Sequence, residues 1–230
     1  MIPEMRGKHK MRIAVLTDIH GAYDRASELI RHAGADIVVI GGDLTTVGSV
    51  REAETAVDRY AAITPHLFCI AGNMDLPAHD EMFARKGISL KGKGVVIGEV
   101  GLFGASAAPL SPLHTPYERR EEELYAEMEA GYLQVRHAAV RILISHAPPY
   151  GSKCDIIHAG YHVGSTAVRD FIEDRKPDAA ACGHIHEGRG TDMLGKTAVM
   201  NCGTASNGYY GLITIGETIE TACMFLPLGG

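Results

Sequence analysis

Apolar runs that stop abruptly at glycine or a polar residue alternate along this chain with stretches of three-to-four apolar spacing. MRIAVLTD (11–18) has the character of a buried strand, and AYDRASELIRHAG (22–34) that of an amphipathic helix closing on a glycine. ADIVVIGGD (35–43) repeats the strand pattern, SVREAETAVDRYAAI (49–63) predicts a second helix, and HLFCIAGNMD (66–75) a third strand running into a loop. Such βα units build a mostly parallel sheet, whose ligands gather beyond the carboxyl ends of the strands. Further on, GVVIGEV and GLFGASA (94–107) read as a hairpin, followed by a proline-rich loop (SPLHTPY, 111–117) and a charged helix from about Glu118 to His137. RILISH (141–146) is a new buried strand, VGSTAVRDFIEDR (163–175) another helix, and DAAACG (178–183) a further strand. The remainder, 191–227, predicts antiparallel hairpins and no helix. Residues 1–10 read as a flexible N-terminal extension and 11–230 as a single domain, with neither internal repeats nor a low-complexity linker.

Composition narrows the classes. With 230 residues and 46% hydrophobic content the chain is long enough for one core. A net charge of −6 and a pI near 6.0 argue against an extensive nucleic-acid surface. Cys69, Cys154, Cys182, Cys202 and Cys223 form no C-x-x-C pair, which fits small buried hydrophobes in a reducing compartment. No apolar stretch approaches the ~18 residues of a membrane span, nor does an apolar leader stand at the N-terminus, so the expectation is a cytoplasmic protein with no membrane partner. An exposed apolar hairpin would serve a homo-oligomer.

Seven side chains stand where apolar runs give way to glycine or loop: Asp18, His20, Asp43, Asn73, His146, His184 and His186. Taken singly, an Asp after a strand commonly caps a helix. As a set, they offer the carboxylate, amide and imidazole donors that hard and borderline divalent metals choose, in a number that suits two ions better than one. Two such cations would bring the charge from −6 to about −2.

The ordered series D-x-H (18–20), G-G-D (41–43), G-N-x-D (72–75), S-H-A-P-P (145–149) and G-H-x-H (183–186) resembles the calcineurin-like metallophosphoesterases over roughly residues 11–203. The small size resembles their phosphodiesterase-like branch more than the longer protein phosphatases. The resemblance implies an α/β fold, a four-layer α/β/β/α sandwich of two mixed β-sheets flanked by helices. It implies that Asp18, His20 and His186 bind one metal, that Asn73, His146 and His184 bind the other, and that Asp43 bridges both. Asp43, Asn73 and His146 are the implied catalytic residues, and a metal-bridging hydroxide the nucleophile for in-line attack on phosphorus. Mn²⁺ is the first expectation for the metal; Fe, Zn, Co and Ni suit the same donors.

The commonest family form of the third motif carries histidine where this chain has Met74, and a thioether has no proton to donate. His158 and His162, in the segment KCDIIHAGYHVGS (153–165), are the candidates to replace that acid and touch substrate; Asp75 is expected to orient a neighbouring ligand. His114 is a weaker candidate. His9, His32, His66, His79 and His137 read as surface or helix-end residues, and Glu121, Glu122 and Glu123 as the outer face of a helix. Arg119, Arg120, Lys153 and Arg189 could reach phosphate but read better as solvated charges. The expected activity is hydrolysis of a small phosphodiester such as a cyclic nucleotide. The alternatives are a phosphomonoesterase and a non-catalytic, metal-stabilised scaffold.

Overall fold

The computed structural model of the chain describes residues 10–227, so the expected N-terminal extension lies outside the described residues except for Lys10. The first third runs β1 (Met11–Leu16), α1 (Tyr23–Ala33), β2 (Ile37–Gly41), α2 (Val50–Ala61), β3 (Leu67–Ile70) and α3 (Pro77–Arg85). The middle holds β4 (Gly94–Ile97), β5 (Val100–Ala105), β6 (Ala108–Pro109), β7 (Glu118–Arg119), α4 (Glu121–Val135) and β8 (Val140–Ser145). Then follow α5 (Thr166–Arg175), β9 (Ala179–Cys182), β10 (Gly190–Leu194), β11 (Thr197–Asn201), β12 (Tyr209–Ile215) and β13 (Ile219–Phe225).

Two large mixed sheets face each other, one in the order β13-β12-β1-β2-β3 and the other β10-β11-β9-β8-β5-β4. Their central strands are parallel: β1 with β2, β2 with β3, β5 with β8, β8 with β9, and β9 with β11. The continuous apolar runs in the sequence follow from burial on both faces. In β1, Ala14 and Leu16 pack under α1 and α2 while Ile13 and Val15 face the second sheet. In β8, Leu143 packs under α4 and α5 while Ile142 and Ile144 face the first sheet. One core thus lies between the sheets and two lie under the helices, which makes four layers, α/β/β/α. Among the described residues no helix is long and apolar enough to cross a membrane. Four of the five cysteines are buried and all are free.

Three elements differ from the sequence pattern. The helix α3 carries a weak apolar signal because its buried face includes His79 and Asp80, and burial of His79 corrects its reading as a surface residue. The charged helix begins at Glu121 because Glu118–Arg119 pairs with Ala108–Pro109 instead. Glu121 is not an outer-face residue: its carboxylate accepts from the amides of Thr166 and Ala167 and the hydroxyl of Ser165, capping α5. In the last segment β10–β11 and β12–β13 are antiparallel as the pattern predicts, but β11 also runs parallel to β9, and β12 joins β1.

Candidate metal centre

The carboxyl ends of β1, β2, β3, β8 and β9 point to one place, and the seven side chains stand on the loops that leave them. The β1 and β2 loops are laced by backbone bonds from the amides of Asp18 to Gly42 O and of Ile19 and His20 to Asp43 O. Asp18 Oδ1 lies 3.1 Å from His186 Nε2 and 3.9 Å from His20 Nε2. Asp43 Oδ2 lies 3.8 Å from His20 Nε2 and 3.4 Å from His146 Nε2, which is also 3.0 Å from Asn73 Oδ1. The rings of His146 and His184 pack at 5.1 Å between centroids. Asp18, Asp43 and His146 are buried, and the side chain of His186 is 47% exposed, so the cluster opens to solvent on the His186 side.

Close approach is enforced by backbone. Asp18, His20, Asp43 and His184 all have positive φ, from 48° to 65°, in the sparsely occupied left-handed region. A Cβ on Gly72 would stand 2.2 Å from Asp43 Oδ1, and one on Gly183 would stand 2.3 Å from Asp18 Oδ2. Both glycines leave room for a carboxylate against main chain. The amides of Met74 and His184 then donate to Asp43 Oδ1 and Asp18 Oδ2, at 2.7 and 3.1 Å. Asp75 is fully buried and accepts from the amides of Leu44, Thr45 and Gly72 and the hydroxyl of Thr45, tying the Asp43 loop to the Asn73 loop.

The donor set fits a cation. The Gly41 carbonyl can only accept, so Nδ1 of His146, 3.0 Å from it, carries the ring proton. Nε2 is thereby turned toward two oxygens, and three acceptors facing each other repel unless a second proton or a cation lies between them. Burial opposes a charged His146, but the Asp43 carboxylate outweighs it and raises the ring pKa to about 9. Burial, joined by the His146 charge, pushes His184 down to about 4. Burial would lift the Asp18 carboxyl, yet the His186 hydrogen bond and the His146 charge hold it well below the usual carboxylate range. The donor atoms of Asp18, His20 and His186, and those of Asp18, Asp43 and His146, form two groups, each within 4.8 Å.

Residues 11–188 match the calcineurin-like phosphoesterase family. The chain belongs to that family. The phosphoesterase is therefore a hydrolase of phosphate esters, of a family that depends on a dinuclear metal site. It is 33% identical over 198 residues to the uncharacterized protein MJ1162 of Methanocaldococcus jannaschii, covering 83% of this chain and 87% of that one. Its fold is similar to TT1561 of Thermus thermophilus, with 16% identity and a TM-score of 0.71 over 93% of this chain and 99% of that one. It is also similar to a dimetal phosphatase from Danio rerio, 12% identical, with a TM-score of 0.54 over 94% and 98% of the two chains.

Other candidates fall outside the cluster. Arg119 is paired with Glu123 and Glu127, and Lys153 lies 3.9 Å from Asp192. The Arg189 guanidinium covers the Tyr209 ring at 3.7 Å. His114 and His158 are exposed, and His162 meets Asp155 on the loop after His146. Sequence reasoning missed Thr46, whose hydroxyl lies 3.0 Å from His20 Nδ1, and Asn201. Asn201 Nδ2 donates to the carbonyls of Gly183, Ile185 and Cys154, bracing the turn that carries His184 and His186. Its signal was available: N-C-G (201–203) sets an asparagine and a glycine at the end of an apolar strand, as G-N (72–73) does after β3.

Proposed function

We propose that the phosphoesterase hydrolyses a small phosphodiester, cyclic nucleotides being within that class, with Mn²⁺ as the working metal. Asp18, His20 and His186 would hold one ion, Asn73, His146 and His184 the other, with Asp43 shared between them. The observation that carries the reading is the opposition of His146 Nε2 to Asp43 Oδ2 at 3.4 Å, inside a buried group whose donor atoms lie within 4.8 Å of one another. When bound, the ions supply Lewis acidity and a water activated for attack on phosphorus. Asp43, pinned at Oδ1 by the Met74 amide, keeps Oδ2 free to serve both sides. Asn73 and His146 would hold the second ion, and the Gly41 carbonyl fixes the His146 tautomer.

Two observations support a diester. A dianionic monoester calls for a guanidinium fork, and three of the four cations weighed from the sequence, Arg119, Lys153 and Arg189, are engaged elsewhere. The second is the rim. Of the ten exposed large hydrophobic side chains among the described residues, Val47, Tyr150, Tyr161 and Val163 lie on the loops that leave β2 and β8, and Leu110 and Leu113 on the loop between β6 and β7. These suit an ester with apolar or aromatic substituents, as a nucleobase would be.

The test is hydrolysis of bis-p-nitrophenyl phosphate beside p-nitrophenyl phosphate, with metal removed and with Mn²⁺ restored. Metal-dependent turnover favouring the diester is expected. Asp43→Ala should lower it at least about a thousandfold, since several kcal/mol of transition-state stabilisation depend on the ions. Preference for the monoester would make the protein a phosphomonoesterase, and two tightly held metals without turnover would make it a scaffold.

A further inference from the structure

The candidate ligands are gathered on one another, and Met74 beside Asn73 has no proton to give. A departing alkoxide needs one. The loop after β8 holds a separate pair of titratable groups. Asp155 is fully buried, and its Oδ2 accepts from the amides of Gly151 and Gly164, each at 3.0 Å. Its Oδ1 lies 2.6 Å from His162 Nδ1. A carboxylate buried in this way is costly unless it is paired and hydrogen-bonded, and both of its oxygens are satisfied. Because that carboxylate accepts, Nδ1 carries a proton and Nε2 is directed away from Asp155, on a side chain 38% exposed. The Tyr150 ring stands edge-on to the imidazole at 5.9 Å, fixing the face it presents.

This pair is fastened to the metal-ligand turn. Asn201 Nδ2 joins the Cys154 carbonyl to those of Gly183 and Ile185, on either side of His184. A Cβ on Gly188, two residues beyond His186, would stand 2.2 Å from the Cys154 carbonyl oxygen and 3.2 Å from the Asp155 amide nitrogen. The Asp155 backbone therefore lies directly against the turn that carries His186.

We propose that His162, held in one tautomer and orientation by Asp155, donates the proton from Nε2 to the leaving alcohol. The proposal rests on the dinuclear reading of Asp18 through His186. The oxygen of water forms the new bond to phosphorus and releases one proton to solvent, and the bond from phosphorus to the alcohol oxygen breaks with its electron pair on that oxygen. The imidazolium passes its Nε2 proton to it and becomes neutral imidazole, which regains a proton from solvent at its exposed edge. The Asp155 carboxyl, 2.6 Å from Nδ1, holds the ring in place throughout. It is a positioning residue.

The experiment compares methyl p-nitrophenyl phosphate with methyl phenyl phosphate, whose leaving group is the poorer, in Mn²⁺-loaded wild type, His162→Ala, Asp155→Asn and Asp43→Ala. General acid catalysis contributes about 10²-fold or more, so His162→Ala should slow the phenyl ester about 10²-fold more than the p-nitrophenyl ester. Added imidazole should restore part of the phenyl-ester rate, and Asp155→Asn should give the same bias in weaker form. Equal slowing of both esters, or no slowing, would overturn the proposal and leave the pair a fastening for the loop. Turnover as fast in Asp43→Ala as in wild type, or none in wild type, would instead overturn the dinuclear reading and this proposal with it.

Discussion

Each carboxylate of the cluster reaches its place because a glycine on a neighbouring loop has no Cβ. Gly72 is the tightest case, since a Cβ there would meet both Oδ1 and the main-chain nitrogen of Asp43, at 2.2 and 2.3 Å. A side chain can swing away from such a clash but a backbone nitrogen cannot, so Gly72→Ala must displace Asp43. A misplacement of about 1 Å costs on the order of 10²-fold in rate. Gly72→Ala should accordingly lose about that much turnover and also one of its two metals, read by metal content after dialysis. Two retained ions with turnover within about threefold of wild type would show that Asp43 does not bridge.

Among the elements, the loop between β6 and β7 shows how an irregular segment is held beside the site. The Tyr117 amide donates to Asn73 O, so this loop bears on a candidate ligand. Its anchor is Glu118, whose carboxylate accepts from the amides and hydroxyls of Ser111 and Thr115. Burial works against the charge, but these four bonds lower the pKa from 4.5 to about 2. A depressed carboxyl contributes stability that is complete above its unfolded pKa and lost as pH falls through its folded one. Because Glu118 is only partly buried, solvent screening reduces the contribution to about 1 kcal/mol. Glu118→Gln should therefore be less stable by about 1 kcal/mol in urea near pH 7, and the gap should close between about pH 4.5 and pH 2. A gap independent of pH would mean that the charge of Glu118 plays no part.

At the scale of the whole molecule, the four layers bring together loops from residues 18 to 186 and bury Asp18 and Asp43 side by side. Ions that bind only the folded chain stabilise it by mass action. At free Mn²⁺ about a hundredfold above Kd, one site adds about 2.7 kcal/mol, which should raise Tm by roughly 5–10 °C for a domain of this size. Calorimetry of the chelated and Mn²⁺-loaded protein checks this. An equal rise in Asp43→Ala would place the stabilising ion elsewhere.

By itself the sequence determined the order and type of most elements and the chemistry of the seven donors. Apolar periodicity is local, and the choice of Asp, Asn and His at the strand ends is visible without coordinates. It also carried the turn residues: Ser49 and Glu52 make the capping box that starts α2. Only the tertiary structure decided what joins across distance. The parallel pairing of β11 with β9, the capping of α5 by Glu121 and the bracing of the His184 turn by Asn201 depend on contacts between remote segments. The helix α3 escaped the pattern because His79 and Asp80 take buried places that periodicity assigns to apolar side chains. Asp155 and His162 are seven residues apart, and nothing in that spacing marks a hydrogen-bonded carboxylate–imidazole pair. Packing against the His186 turn made them one, because register and burial are settled by the whole fold and not by neighbouring residues.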